Sequence, residues 1–284
     1  MIQSLKTIKN RIRSIENTKK VTAAMELISV AKLNRIEKGL LSFRPYVTGL
    51  GNIMHNLISS APQARHVFLE ERPGSDKICL CVITSDSGLC GVYNNNIIRL
   101  AEEFIRQQGK EKIILVCLGK KGFNYFSRQG LKVLNAYLGV NGRYSEKLCR
   151  EINDRLKDIF ISGTALKVYI AYTHFKTALV HKPSLEKFLS LERLTQSPKD
   201  YITEPGIGTI LNELIPKYIY MRLKLIILES FTAEHSARII AMKSATDNAK
   251  DLLEKLTLLR NKTRQANITQ EIMEIISSAE ALKG

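Results

Sequence analysis

The run Ser85-Asp86-Ser87-Gly88-Leu89-Cys90-Gly91 comes nearest to catalytic or binding chemistry. It follows an apolar stretch of strand type, KICLCVITSD, and precedes a helical stretch. At that place a doubly wound sheet offers backbone amides to a phosphate. The spacing is neither GxGxxG nor GxxxxGK[ST], and the next strand-like run, KIILVCLG, closes without an acidic residue for a ribose. Gly88 and Gly91 are therefore read as a turn signal, with no cofactor expected. Cys90 as a nucleophile needs a histidine base, yet none of His55, His66, His174, His181 and His235 shares a local signature with it. A small residue tucked under a tight turn is the better reading. His174 and His181, on either side of a strand turn, would need further metal ligands that the sequence around them does not supply. Cys79, Cys81, Cys90, Cys117 and Cys149 contain no spaced pair of CxxC motifs. Three of them lie in buried-strand runs, which fits reduced thiols used as small hydrophobes.

The 284 residues are 44% hydrophobic and 25% charged, which excludes a disordered chain and a membrane-embedded one. Forty-three Lys and Arg oppose 27 Asp and Glu, a net charge of +16. That balance points to an anionic partner: nucleic acid, a membrane surface or an acidic protein surface. The basic N-terminus lacks an apolar core for a secretory signal. The longest uncharged stretch, 45–64, carries Asn52, His55, Asn56, Ser59 and Ser60, too polar to span a bilayer. No transmembrane segment is expected.

The elements that must position these residues fall into three blocks, expected at 1–60, 75–205 and 207–284. In the first, Leu5, Ile8, Ile12 and Ile15 follow a coiled-coil rhythm, resumed at Leu33, Ile36 and Leu40. Gly39, Pro45 and Gly49 sit where a kink or break is expected. Met1–Arg44 holds ten basic and three acidic residues, a local charge of +7. The middle alternates between strand and helix: strand-like KICLCVITSD, a helix over 94–107, KIILVCLG, a helical patch over 123–128, LKVLNAYL, a helix over 145–160, LKVYIAYTHF, and a last strand within 177–191. This predicts a mostly parallel sheet with crossover helices. In the last block Ala245, Ala249, Leu252, Leu256, Leu259, Thr263 and Ala266 keep heptad spacing, followed by Ile272, Ile275, Ala279 and Leu282. Residues 232–284 contain no Pro and no internal Gly, enough for a helix of roughly 80 Å. A helix that long must pair with something, and the N-terminal helix is the obvious antiparallel mate.

Two terminal motifs then carry a resemblance. Residues 8–33, IKNRIRSIENTKKVTAAMELISVAKL, and 228–249, LESFTAEHSARIIAMKSATDNA, resemble the two signatures of the gamma subunit of F-type ATP synthases. NKTRQANITQEIMEIISSAEAL, SDSGLCGVYN, and Tyr201 with Glu204-Pro205 also match the family in order and spacing. The resemblance implies α/β architecture with long helices: an antiparallel coiled coil of the N- and C-terminal helices plus a central Rossmann-like α/β domain that binds no nucleotide. It implies a non-catalytic rotor shaft that couples proton-driven turning of the membrane c-ring to ATP synthesis or hydrolysis at the beta subunits. Three alpha and three beta subunits, the epsilon subunit and the c-ring would be its partners, on the cytoplasmic face of a bacterial inner membrane.

Carried over by motif, Lys20, Met25, Arg35, Arg238, Lys243, Arg264, Gln265 and Thr269 would face the beta-subunit loops. Gly88, Cys90 and Tyr201 would lie on the epsilon and c-ring side. Ser87 and Val92 depart from the family's Arg and second Gly, and Ala23 stands where Lys is frequent. No cysteine pair of the chloroplast redox switch is evident, so thiol regulation is not expected. The signature starts so early that no transit peptide is expected, which favours a bacterial source. Two other classes stay open on residues alone. A basic coil using Lys19, Lys20, Lys32, Arg35 and Lys38 could track DNA phosphates, and a small α/β enzyme could use the Gly88–Gly91 loop.

Overall fold

A computed structural model describes residues 5–61, 63–70, 75–191 and 204–281. Two long helices bracket the sheet: α1, Leu5–Ser60, and α5, Ile207–Ala281. Between them lie β1 (Ile78–Ile83), α2 (Tyr93–Gln108), β2 (Ile113–Leu118), α3 (Lys120–Arg128), β3 (Val133–Tyr137), α4 (Glu146–Ile161), β4 (Lys167–Phe175) and β5 (His181–Leu189). The five strands form one sheet in the order β3-β2-β1-β4-β5. All neighbours are parallel except β4 and β5, whose antiparallel pairing closes through a turn in which the Val180 N–H donates to Thr177.

Two compact units result. One unites the α1 segment up to Ile28 with the α5 segment from Ile239; the other runs Ser29–Arg238. In the larger unit the period-2 alternation of β1 sorts the core. Ile78, Leu80 and Val82 pack with Ile97, Ala101 and Phe104 of α2 and Phe126 of α3. Cys79, Cys81 and Ile83 pack on the other face with Ile152, Leu156 and Phe160 of α4, Met54 and Leu57 of α1, and Ile219 and Leu223 of α5. In the smaller unit Ile8 and Ile12 of α1 cluster with Leu256 of α5, and the Thr22 and Thr246 hydroxyls meet at 2.7 Å. That pairing is antiparallel, since Ile8 meets Leu256 while Thr22 meets Thr246, as expected of two helices that leave the same domain.

Three expectations need correction. α1 runs without interruption through Gly39, Pro45 and Gly49. Pro45 removes only the bond to the Leu41 carbonyl, and both residues are exposed, so water can take that acceptor. The helical patch at 123–128 begins three residues earlier, at Lys120. Gly122 lies inside α3 and donates its N–H to the Thr84 Oγ1 at 2.9 Å. Finally, the spacing of Ile272 and Ile275 fits a buried seam, but these side chains are 50% and 68% exposed.

Candidate functional site

The Ser85–Gly91 run sits at the C-terminal end of β1, where the sequence places it, and its polar groups are turned inward. The Asp86 carboxylate accepts backbone N–H bonds from Lys120 at 2.9 Å, Gly139 at 3.1 Å and Asn141 at 2.7 Å. It therefore ties together the loops that follow β1, β2 and β3. The first amide of α3, which an external phosphate would seek, is already taken by the chain's own anion. Cys90 is buried, and its sulfur accepts from the Asn94 Nδ2 at 3.1 Å. Burial pushes its thiol up, away from the thiolate a nucleophile needs. Cys79 and Cys117 are both pushed up to about 12 for the same reason. Gly88 is half-buried, and Tyr201 lies outside the described residues.

The second signature is an internal structure. Every residue from Ile226 to Ser236 is buried, so this turn-by-turn stretch of α5 has no solvent face. Arg238, expected on a partner surface, is 5% exposed. Its Nη2 lies 2.8 Å from the Glu234 Oε1, its Nη1 lies 3.3 Å from the His235 Nδ1, and it also donates to Ser87 and Gly88. A buried carboxylate must be paired, and Glu234 has used the guanidinium one helical turn away. The sequence does place Glu234 and Arg238 at i, i+4, the spacing of an ion pair on one helix face.

His235 completes this cluster. Its Nε2 donates to the Gly142 carbonyl at 2.9 Å, which leaves the Nδ1 to accept from Arg238. Burial, reinforced by Arg238 and Lys32, pushes the imidazole down to about 4. The sign follows from linkage: unfolded chains bind a proton on this ring near 6.5 and the folded chain does not, so its contribution is complete above that value and is lost toward 4. Between about pH 7 and about pH 4 the wild type is expected to lose about 3 kcal/mol relative to a His235→Asn variant, read by urea denaturation at each pH. The neighbouring Glu234 carboxyl is pushed up by burial and is common to both proteins.

The smaller unit offers the outward-facing residues. Lys20, Lys243, Arg264, Gln265 and Thr269 are exposed there, and Met25 is half-buried. Arg35, on the α1 segment of the larger unit, is exposed as well. Among the described residues, Lys6, Lys9, Arg11, Arg13 and Lys20 form no ion pair, so the basic face of α1 is uncompensated. The end of α5 shows Ile268, Ile272, Met273, Ile275 and Ile276 to solvent. An apolar helix end of this kind marks an interaction surface. Among the described residues, no helix is long and apolar enough to cross a membrane.

Comparison with known proteins bears on all of this. The profile of the ATP synthase family matches residues 4–282. The ATP synthase gamma chain of Chlorobium phaeobacteroides (strain DSM 266) is 35% identical, with 99% of each chain covered. That of Heliobacterium modesticaldum is 36% identical, with 98% of this chain and 99% of the relative covered. Among solved structures, the Euglena gracilis mitochondrial ATP synthase (OSCP/F1/c-ring, rotational state 3) contains a chain with a TM-score of 0.65 at 16% identity, covering 98% of this chain and 94% of that one. The central stalk of the Tetrahymena thermophila mitochondrial ATP synthase gives a TM-score of 0.61 at 20% identity, covering 79% of this chain and 99% of that one. With both ends and the central sheet matched over their full length, the chain belongs to the ATP synthase gamma-chain family.

Proposed function

We propose that this chain is the central rotor shaft of an F-type proton-translocating ATP synthase, a non-catalytic subunit that couples turning of a membrane c-ring to conformational change at the beta subunits. The observation that carries the reading is the smaller unit itself. It is an antiparallel helix pair whose α1 face bears unpaired cations and whose α5 end bears bare isoleucines. Such a surface fits a sleeve of acidic and apolar loops. Successive contacts with three similar partners would bias each toward a different conformation, which is a population shift driven by differential binding. Lys20, Met25, Arg35, Lys243, Arg264, Gln265 and Thr269 would meet the beta-subunit loops, and Gly88 the epsilon and c-ring side. The complex would lie peripherally on the cytoplasmic face of a bacterial membrane.

A tagged chain recovered from native membranes should bring three alpha and three beta subunits per copy by native mass spectrometry, with ATPase activity in the eluate. A free chain carrying nucleic acid or nucleotide would overturn the reading. Within it, Arg264→Ala with Gln265→Ala should leave the isolated chain's stability within about 0.5 kcal/mol, since both side chains are exposed. The same pair should lower the ATPase rate of the reconstituted hexamer about tenfold, equivalent to about 1.4 kcal/mol. An unchanged rate would remove these two residues from the interface.

A further inference from the structure

Glu229 lies in the fully buried stretch of α5, with its side chain only 3% exposed. Its Oε1 accepts from the Arg44 Nε of α1 at 3.1 Å, and the Arg44 Nη2 approaches the same oxygen at 3.0 Å. Its Oε2 lies 2.5 Å from the His174 Nδ1 of β4. The Arg44 Nη2 also donates to the Phe175 carbonyl at 2.6 Å. One carboxylate therefore joins both long helices to a strand of the sheet, all within the larger unit.

Stability alone does not explain this junction. A buried ion pair loses much of its Coulombic gain to desolvation, and apolar residues of similar volume often serve as well or better. The surroundings are already apolar, with Leu40, Phe175 and Leu228 packed together nearby. Apolar adhesion is non-directional, however, and packed helices can step past one another by about a turn, ≈ 5.4 Å. Charge-assisted hydrogen bonds weaken steeply once distance and angle change. A part that carries load between helices and sheet needs the second kind of contact.

We propose that the Glu229–Arg44–His174 junction is a register lock, a set of positioning residues through which α1 and α5 pass turning force into the α/β body. This rests on the rotor reading. The test uses the assembled complex in inverted membrane vesicles, with ATP hydrolysis and proton pumping measured together by a pH-sensitive dye. Glu229→Leu with Arg44→Met should assemble, melt at or above the wild-type temperature and retain hydrolysis, yet lose most of its pumping per ATP hydrolysed. A purely structural junction would instead lower stability, hydrolysis and pumping in parallel and leave the ratio unchanged, and that result overturns the lock. If the double variant does not assemble, Glu229→Gln, which keeps an acceptor for Arg44, should show a smaller loss in the same ratio, and an unchanged ratio again overturns it. Absence of ATP-driven pumping in the wild-type complex would overturn the rotor reading itself.

Discussion

Replacing Arg238 by Met should destabilise the isolated chain by about 3–5 kcal/mol, the cost of leaving a buried charge without its partner. Arg238 and Glu234 are 6% and 2% exposed at the side chain, so neither is hydrated in the fold. Burial already pushes the Glu234 carboxyl up, and the guanidinium is the largest influence holding it charged. Without it, the carboxylate must take up a proton or remain unpaired, and the acceptors on Ser87 and Gly88 lose their donor as well. The double variant Arg238→Met with Glu234→Gln should recover part of the loss, because no buried charge is left over. Denaturant midpoints at neutral pH measure both. A loss for Arg238→Met below about 1 kcal/mol, the range of an exposed pair, would mean that water reaches the site.

The second large effect is expected at Gly119, the residue joining β2 to α3. Its φ is +99°, and a Cβ there would stand 2.1 Å from the Thr84 carbonyl oxygen and 2.9 Å from the Thr84 Oγ1. The Thr84 N–H donates to the Leu118 carbonyl at 2.8 Å, which holds the two backbones together, and the Gly119 N–H donates to the Tyr137 carbonyl of β3 at 2.9 Å, which leaves Gly119 no room to retreat. An alanine must therefore adopt an unfavourable backbone conformation and also prise β1 from β2. The strain alone is about 1–3 kcal/mol, and the displacement adds to it. Gly119→Ala should cost more than about 3 kcal/mol, or prevent soluble accumulation altogether. Gly130→Ala is the control, since its φ is +72° but nothing lies within 4 Å of the added carbon. That variant should lose only about 1–2 kcal/mol.

Much of this architecture is legible in the sequence because it rests on periodicity. The unbroken apolar run of Ile78–Ile83 reports a strand buried on both faces, and the spacing of Ile8, Ile12 and Leu256 reports a coil seam. What was not legible depends on long-range placement. Pro45 sits inside an unbroken helix where both it and Leu41 are exposed, a fact of tertiary packing. The start of α3 is hidden for the same reason, since the acceptor for the first-turn N–H of Gly122 is Thr84, far away in sequence. The inward turn of Glu234 and Arg238 is hidden for a related reason. Charged residue types suggest a surface, and polar residues are spread through Ile226–Ser236, so only the packing around it shows that this part of α5 is enclosed. Lys20, Lys243 and Gln265 are exposed.

The bare end of α5 has a bearing on how many copies a cell can tolerate. A newly made chain buries its sheet core unaided but keeps Ile268, Ile272, Met273, Ile275 and Ile276 in water until something encloses them. Exposed isoleucines on a helix invite self-association, and they are the kind of surface that chaperones and proteases engage. Surplus copies thus carry their own mark of being surplus, which assembly erases.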